Sequence, residues 1–208
     1  MRSLFFIPVA GLFLIAGCNS GKKASNANFT VAINQYLAKH GEVCTQIGGQ
    51  LPIDVPKSRQ NDLSGIGPKL AAFEQAGLVR ETDATAVVHS LLDPLRGPTP
   101  PQPVKRYDLT KEGERFIRQI PGTFGQTDGF CYGQKSVDSI VKWTEPSPDA
   151  SVAEVIYTYK ILNLAPWAER PDVQRTSPDI KMAVGGTTNA NQTVGLQLTE
   201  KGWEVVGP

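Results

Sequence analysis

Two histidines, His40 and His89, and three cysteines are all the imidazole and thiol ligands that this 208-residue chain offers. The chain is thus poor in metal ligands, and no spacing suggests a metal site. No C-x-x-C pair occurs, which removes dithiol exchange from consideration. The nucleophile elbow G-x-S-x-G, the zinc helix H-E-x-x-H and the phosphate-cradling G-x-x-x-x-G-K-[ST] are also missing. Charge of one sign is lacking too. Lysine and arginine number 21 against 20 acids, so no field of one sign steers nucleic acid or an acidic polymer. The longest apolar run, Leu4–Ala16, is shorter than the ~20 residues a membrane-crossing helix needs, and Pro8 interrupts it. Hydrophobic residues still make up 40% of the chain and charged ones 20%, a composition that folds.

The amino terminus carries the most specific pattern. Met1-Arg2-Ser3 supplies one positive charge, the apolar run follows, and small residues close it at Ala16-Gly17. That order is a secretory signal. The words Leu14-Ile15-Ala16-Gly17-Cys18 resemble the lipobox of bacterial lipoproteins, with Ile15 where leucine is usual. The resemblance implies cleavage before Cys18, lipidation of its thiol with a diacylglycerol, and acylation of the new amino terminus. Several chains anchor firmly where one holds only marginally. Asn19, in place of the aspartate of many inner-membrane lipoproteins, implies the outer membrane. Residues 1–17 are then a signal peptide and 18–28 a flexible tether, polar and small, with Lys22-Lys23 as its charges. Cleavage removes one charged side chain, Arg2, and leaves acids and bases equal in number.

With Cys18 lipidated in an oxidising compartment, the remaining thiols, Cys44 and Cys131, are expected to form one disulfide. A pair of buried free thiols is the other reading.

Along the body, Phe29, Ile33, Tyr36, Leu37 and His40 fall on one face of an amphipathic helix, which starts near Asn28 or Thr30 and stops at Gly41. Gly48–Asp62, with Pro52 and Pro56, reads as loop or short extended pieces. Leu63-Ser64-Gly65-Ile66-Gly67-Pro68-Lys69-Leu70 resembles the turn of helix-hairpin-helix DNA-binding proteins, in which backbone amides meet a phosphate. A helix before the turn is required there, and a polar, proline-bearing stretch stands in its place. The plainer reading is a helix with Pro68 in its first turn, closed by Gly77.

The wider stretch Leu70–Val79 with Arg106-Tyr107-Asp108-Leu109-Thr110-Lys111-Glu112-Gly113 is similar to winged-helix domains. The resemblance implies a strand Leu78–Thr82, a proline-rich wing holding Pro94, Pro98, Pro100, Pro101 and Pro103, a strand Val104–Leu109, and a helix Lys111–Ile120 capped by Thr110. Residues 29–121 are thus expected to form a winged-helix-like subdomain, with a junction at Gly122–Gly129.

In residues 122–208 the period becomes two. Val137, Ser139, Val141 and Trp143 alternate with Asp138, Ile140, Lys142 and Thr144. Ala153, Val155, Tyr157, Tyr159 and Ile161 alternate likewise with their neighbours, and the two runs predict an antiparallel hairpin. Pro171 starts a helical turn, and Ser177-Pro178-Asp179 starts a helix that ends at Gly185-Gly186. Val194–Leu198 and Trp203–Val206 form a second hairpin. The expected fold class is α+β: a small winged-helix-like helical half, then an antiparallel four-stranded sheet with a short helix. The aromatics Trp143, Tyr157, Tyr159, Trp167 and Trp203 belong to core before groove.

The words Phe130-Cys131-Tyr132-Gly133 and Leu198-Thr199-Glu200-Lys201-Gly202-Trp203 resemble a group of proteobacterial lipoproteins, a likeness that carries no activity with it. The functional expectation is a lipid-anchored envelope protein without catalytic residues, metal or cofactor. It meets the membrane through Cys18 and an envelope protein or the cell wall through its body. The alternative is an envelope DNA receptor using Gly65-Ile66-Gly67.

Overall fold

The structure, a computed structural model, describes residues 19–88, 100–123, 125–146, 151–186 and 191–207. Cys18, the signal segment, His89 and the wing prolines Pro94 and Pro98 lie outside them.

Helix α1, Asn26–His40, begins where Ser25 Oγ accepts the amide of Asn28. It ends as expected at Gly41, whose amide bonds the Leu37 carbonyl. Its apolar face buries Phe29, Ala32, Ile33 and Leu37. Strand β1, Glu42–Gln46, follows directly. After β2, Ile53–Pro56, comes α2, Gly67–Gln75, with Pro68 in its first turn. Gly77 adopts φ +78° just beyond α2, and the Leu78 amide returns to the Phe73 carbonyl, the usual glycine-closed helix end. Strands β3, Val79–Ala86, and β4, Gln102–Leu109, pair antiparallel, and β2 pairs on the far side of β4.

Here the winged-helix expectation fails. The chain is mostly β, and Lys111–Ile120 is not a helix. Thr110 does cap, accepting the Gly113 amide at 2.9 Å, but the cap opens only a 3-10 turn, Gly113–Arg115. Strand β5, Ile117–Gly122, follows and pairs residue by residue with the start of β6, Gly125–Trp143. Two causes can be named. Gly113 is packed so close to the Leu78 carbonyl that even a Cβ would stand 2.1 Å from it, so the chain is held there at its tightest. Beyond it, β-branched Ile117 and Ile120 find a complete ladder on β6, and tertiary pairing outweighs a weak helical preference. The expected junction Gly122–Gly129 forms this β5–β6 hairpin, turned at Gly125 with φ +113°.

The second sheet is also larger than four strands. β6 pairs β7, Val152–Leu162; β7 pairs β8, Gln192–Thr199; β8 pairs β9, Gly202–Val205. Both expected hairpins are therefore present. β1 and β5 join the same sheet on β6, giving six strands, and the sheet is curled. The strict alternation along β6 is broken. Two bulges, after Val137 and after Ile140, set Val137, Ile140 and Trp143 opposite Tyr159, Tyr157 and Val155. Three residues of β6 then match two of β7, which turns Ile140 to the core face and leaves Val141 50% exposed. Bulges bend and twist a strand locally.

Two cores result. Around α1 lie Val137, Ala153, Val155, Tyr157, Tyr159, Leu196 and Trp203. Phe29 stands edge-on between Trp143 of β6 and Trp203 of β9, with ring centroids 5.1 and 5.0 Å away. The helix thus bridges the strands at either end of the β6–β9 section. The other core joins Leu70 and Phe73 of α2 to Phe130 and Tyr132 of β6, and to Trp167 in the 3-10 turn Pro166–Glu169. Helices α3, Pro171–Thr176, and α4, Pro178–Gly186, complete it through Val173 and Ile180. Ser177 is fully buried ahead of α4, and its hydroxyl has no partner among the described residues, while the helix starts at Pro178 as expected.

Candidate functional site

The expected disulfide is present. Cys44 of β1 and Cys131 of β6 face each other in the ladder and are bonded, 87 residues apart in sequence. The bond ties β1, the strand that follows α1, to β6. Among the described residues Glu42, Cys44 and Cys131 bring metal-type ligands within 4.8 Å of one another. The two sulfurs are spent on each other, and one carboxylate does not hold a metal ion.

The turn Gly65-Ile66-Gly67 sits at the start of α2, preceded by a 3-10 turn at Lys57–Arg59 and not by an α-helix. Gly67 is buried against the Gln60 backbone, where a Cβ would meet the Gln60 carbonyl at 2.2 Å. Lys69, the cation of the motif words, bends back to Thr45 Oγ1 at 3.1 Å and to the Gln46 carbonyl. Burial holds its pKa below the ordinary lysine value, with Asp179 opposing. Its ammonium clamps α2 to β1 and does not project towards a phosphate.

Five charged residues of the three-stranded sheet, Asp54, Glu81, Asp83, Lys105 and Arg106, are engaged in ion pairs. Arg106 makes two bonds to Asp54, at 2.8 and 2.7 Å, and those bonds hold the Asp54 carboxyl below its usual range. Lys105 bridges Glu81 and Asp83, and Lys57 reaches Asp83. Beneath them the buried Tyr107 hydroxyl donates to Glu81 and accepts from Gln60. Desolvation, then the Glu81 bond, pushes Tyr107 up to about 12. This is an ion-pair lattice that locks three strands.

His40 is exposed at the end of α1, its ring stacked on Tyr36 at 4.5 Å beside a shallow cleft of about 280 Å³. A second cleft, about 320 Å³, lies between Phe116, Trp167 and Arg170. Arg170 is already bonded to Asp172 at its mouth. Tyr157, Tyr159, Trp167 and Trp203 are buried, and Trp143 is partly so. They build the two cores, and Trp167 also walls the second cleft.

The segment ahead of α1, expected to be a loose tether, is fixed. Asn19–Lys22 forms a 3-10 turn. Trp203 Nε1 donates to the Lys22 carbonyl at 3.2 Å, Asn28 Nδ2 donates to the Lys23 carbonyl at 2.8 Å, and Trp143 Nε1 reaches Asn26 Oδ1 at 2.9 Å. Gly202, at φ +118°, lies so near that a Cβ there would be 3.2 Å from the Gly21 carbonyl. Composition alone could not reveal this, because the partners come from the far end of the chain. No helix among the described residues is long and apolar enough to cross a membrane. Compared with known proteins, the chain matches no protein-family model, no curated protein and no solved structure.

Proposed function

We propose that the chain is a lipid-anchored protein of the bacterial cell envelope, held in the outer membrane by acyl chains on Cys18. Its body has a structural or adaptor role towards an envelope protein or the cell wall, without catalysis. The observation that carries this reading is the lipobox Leu14–Cys18 at the end of a short apolar run. Two features of the body agree with it. The Cys44–Cys131 bond suits an oxidising compartment, and the fold begins immediately after the anchor position. The non-catalytic half of the reading draws on the three-stranded sheet, where Asp54, Glu81 and Asp83 are committed to arginine and lysine partners. The inward-turned Lys69 weighs against the DNA alternative.

Metabolic labelling of cells with an alkyne fatty acid is expected to mark the wild-type protein and to leave Cys18→Ala unmarked. A mark that persists in Cys18→Ala, or a mature protein that retains Met1, would overturn the reading. Crosslinking in intact cells followed by mass spectrometry then identifies the partner.

A further inference from the structure

The pinned segment places one end of the body against whatever surface Cys18 is attached to. Between Cys18 and the Gly21–Gly202 contact lie only Asn19 and Ser20. Three residue steps reach at most about 11 Å even when fully extended, and the 3-10 turn Asn19–Lys22 shortens that. The body therefore cannot swing away as it would on a loose linker. Lys22 and Lys23 of the segment are exposed, and so is Lys201 in the β8–β9 turn beside it. No ion pair among the described residues engages any of the three. The acid of that turn is Glu200. Three exposed lysines outside those ion pairs thus stand on the segment next to the anchor position and on the turn beside it. At physiological salt a charge acts over about 8 Å, a distance comparable with the reach from Cys18.

We propose that Lys22, Lys23 and Lys201 form a basic contact face for anionic phospholipid headgroups, so that the body lies against the bilayer in one orientation. This rests on lipidation of Cys18 and adds to it a second, electrostatic attachment. Acyl chains alone hold a protein to a bilayer, but they do not orient it. Three pinned lysines beside the anchor do. Each lysine near an anionic surface strengthens association by about five-fold.

The mature, acylated protein is reconstituted into vesicles of phosphatidylcholine alone, or with phosphatidylglycerol as the anionic component. Lysines are then acetylated with a water-soluble reagent, and each site is followed by mass spectrometry. Lys22, Lys23 and Lys201 are expected to react about five-fold more slowly on the anionic vesicles, while Lys160 and Lys181 react equally on both. In Lys22→Gln/Lys23→Gln/Lys201→Gln, which alters exposed side chains only, amide exchange in the β8–β9 turn is expected to become independent of vesicle composition. Equal rates for the three lysines on both vesicles, with acyl chains present by intact mass, would overturn the contact face and leave the anchor standing. Absence of the acyl mass would overturn the anchor, and the face with it.

Discussion

Replacing Cys44 and Cys131 together by alanine removes a crosslink between residues 87 apart. In the chain-entropy description, a loop of that length restricts the unfolded chain by about 15 cal/mol/K, or about 4–5 kcal/mol at 25 °C. The folded side changes little. β1 keeps its backbone ladder to β6 from Glu42 to Gln46, and Cys131, 6% exposed, is replaced by a residue that fits the same space. The loss is therefore expected in the unfolded state, with the native circular dichroism preserved. Domains of this size shift by about 2–4 °C per kcal/mol, so the melting temperature should fall by about 10–18 °C. Urea unfolding of wild type, of wild type kept reduced, and of the double variant measures the effect. The reduced wild type should match the variant. A destabilisation below about 1 kcal/mol would refute the loop argument. Two titratable thiols in the unfolded, unreduced protein would refute the bond itself.

Phe29→Ala empties a fully buried site between two indole rings and should cost about 3–5 kcal/mol in denaturant unfolding; a cost under 1 kcal/mol would mean that α1 does not bridge β6 and β9. Gly113→Ala puts a methyl 2.1 Å from the Leu78 carbonyl and should cost about 1–3 kcal/mol, whereas Gly185→Ala, with open space around it, should leave the melting temperature unchanged. Burial, then the charges of Asp179 and Tyr159, raises the Tyr132 hydroxyl from 10.0 to about 12. A folded pKa above the unfolded one contributes stability that is complete below pH 10 and is lost as pH climbs towards 12. Tyr132→Phe should accordingly flatten the alkaline limb of the stability curve in that window, and an unchanged slope would contradict the assignment.

Much of the local structure was legible from residue order. The apolar stripe of α1, the proline start and glycine stop of α2, and the alternation along β7 are patterns that one element carries within itself. The errors fell where an element depends on a distant partner. Thr110 signals a helix start and does cap, but the chain then meets β6 and becomes β5. Along β6 the alternation predicted Val141 inward, and two bulges exchanged it with Ile140. In the candidate site Cys18 rests on sequence words alone. The fixing of Asn19–Asn28 was invisible beforehand, because Trp203 and Gly202 come from the opposite terminus.

Residue order by itself determined which faces are apolar and where turns and caps fall, because these depend on side-chain periodicity and backbone preference over a few residues. Tertiary structure decided the rest: the recruitment of β1 and β5 to one sheet, the inward turn of Lys69, and the docking of the amino-terminal segment on β9. A backbone amide or an indole N–H takes its partner from whatever the fold brings within about 3 Å, and that choice is made across the whole chain.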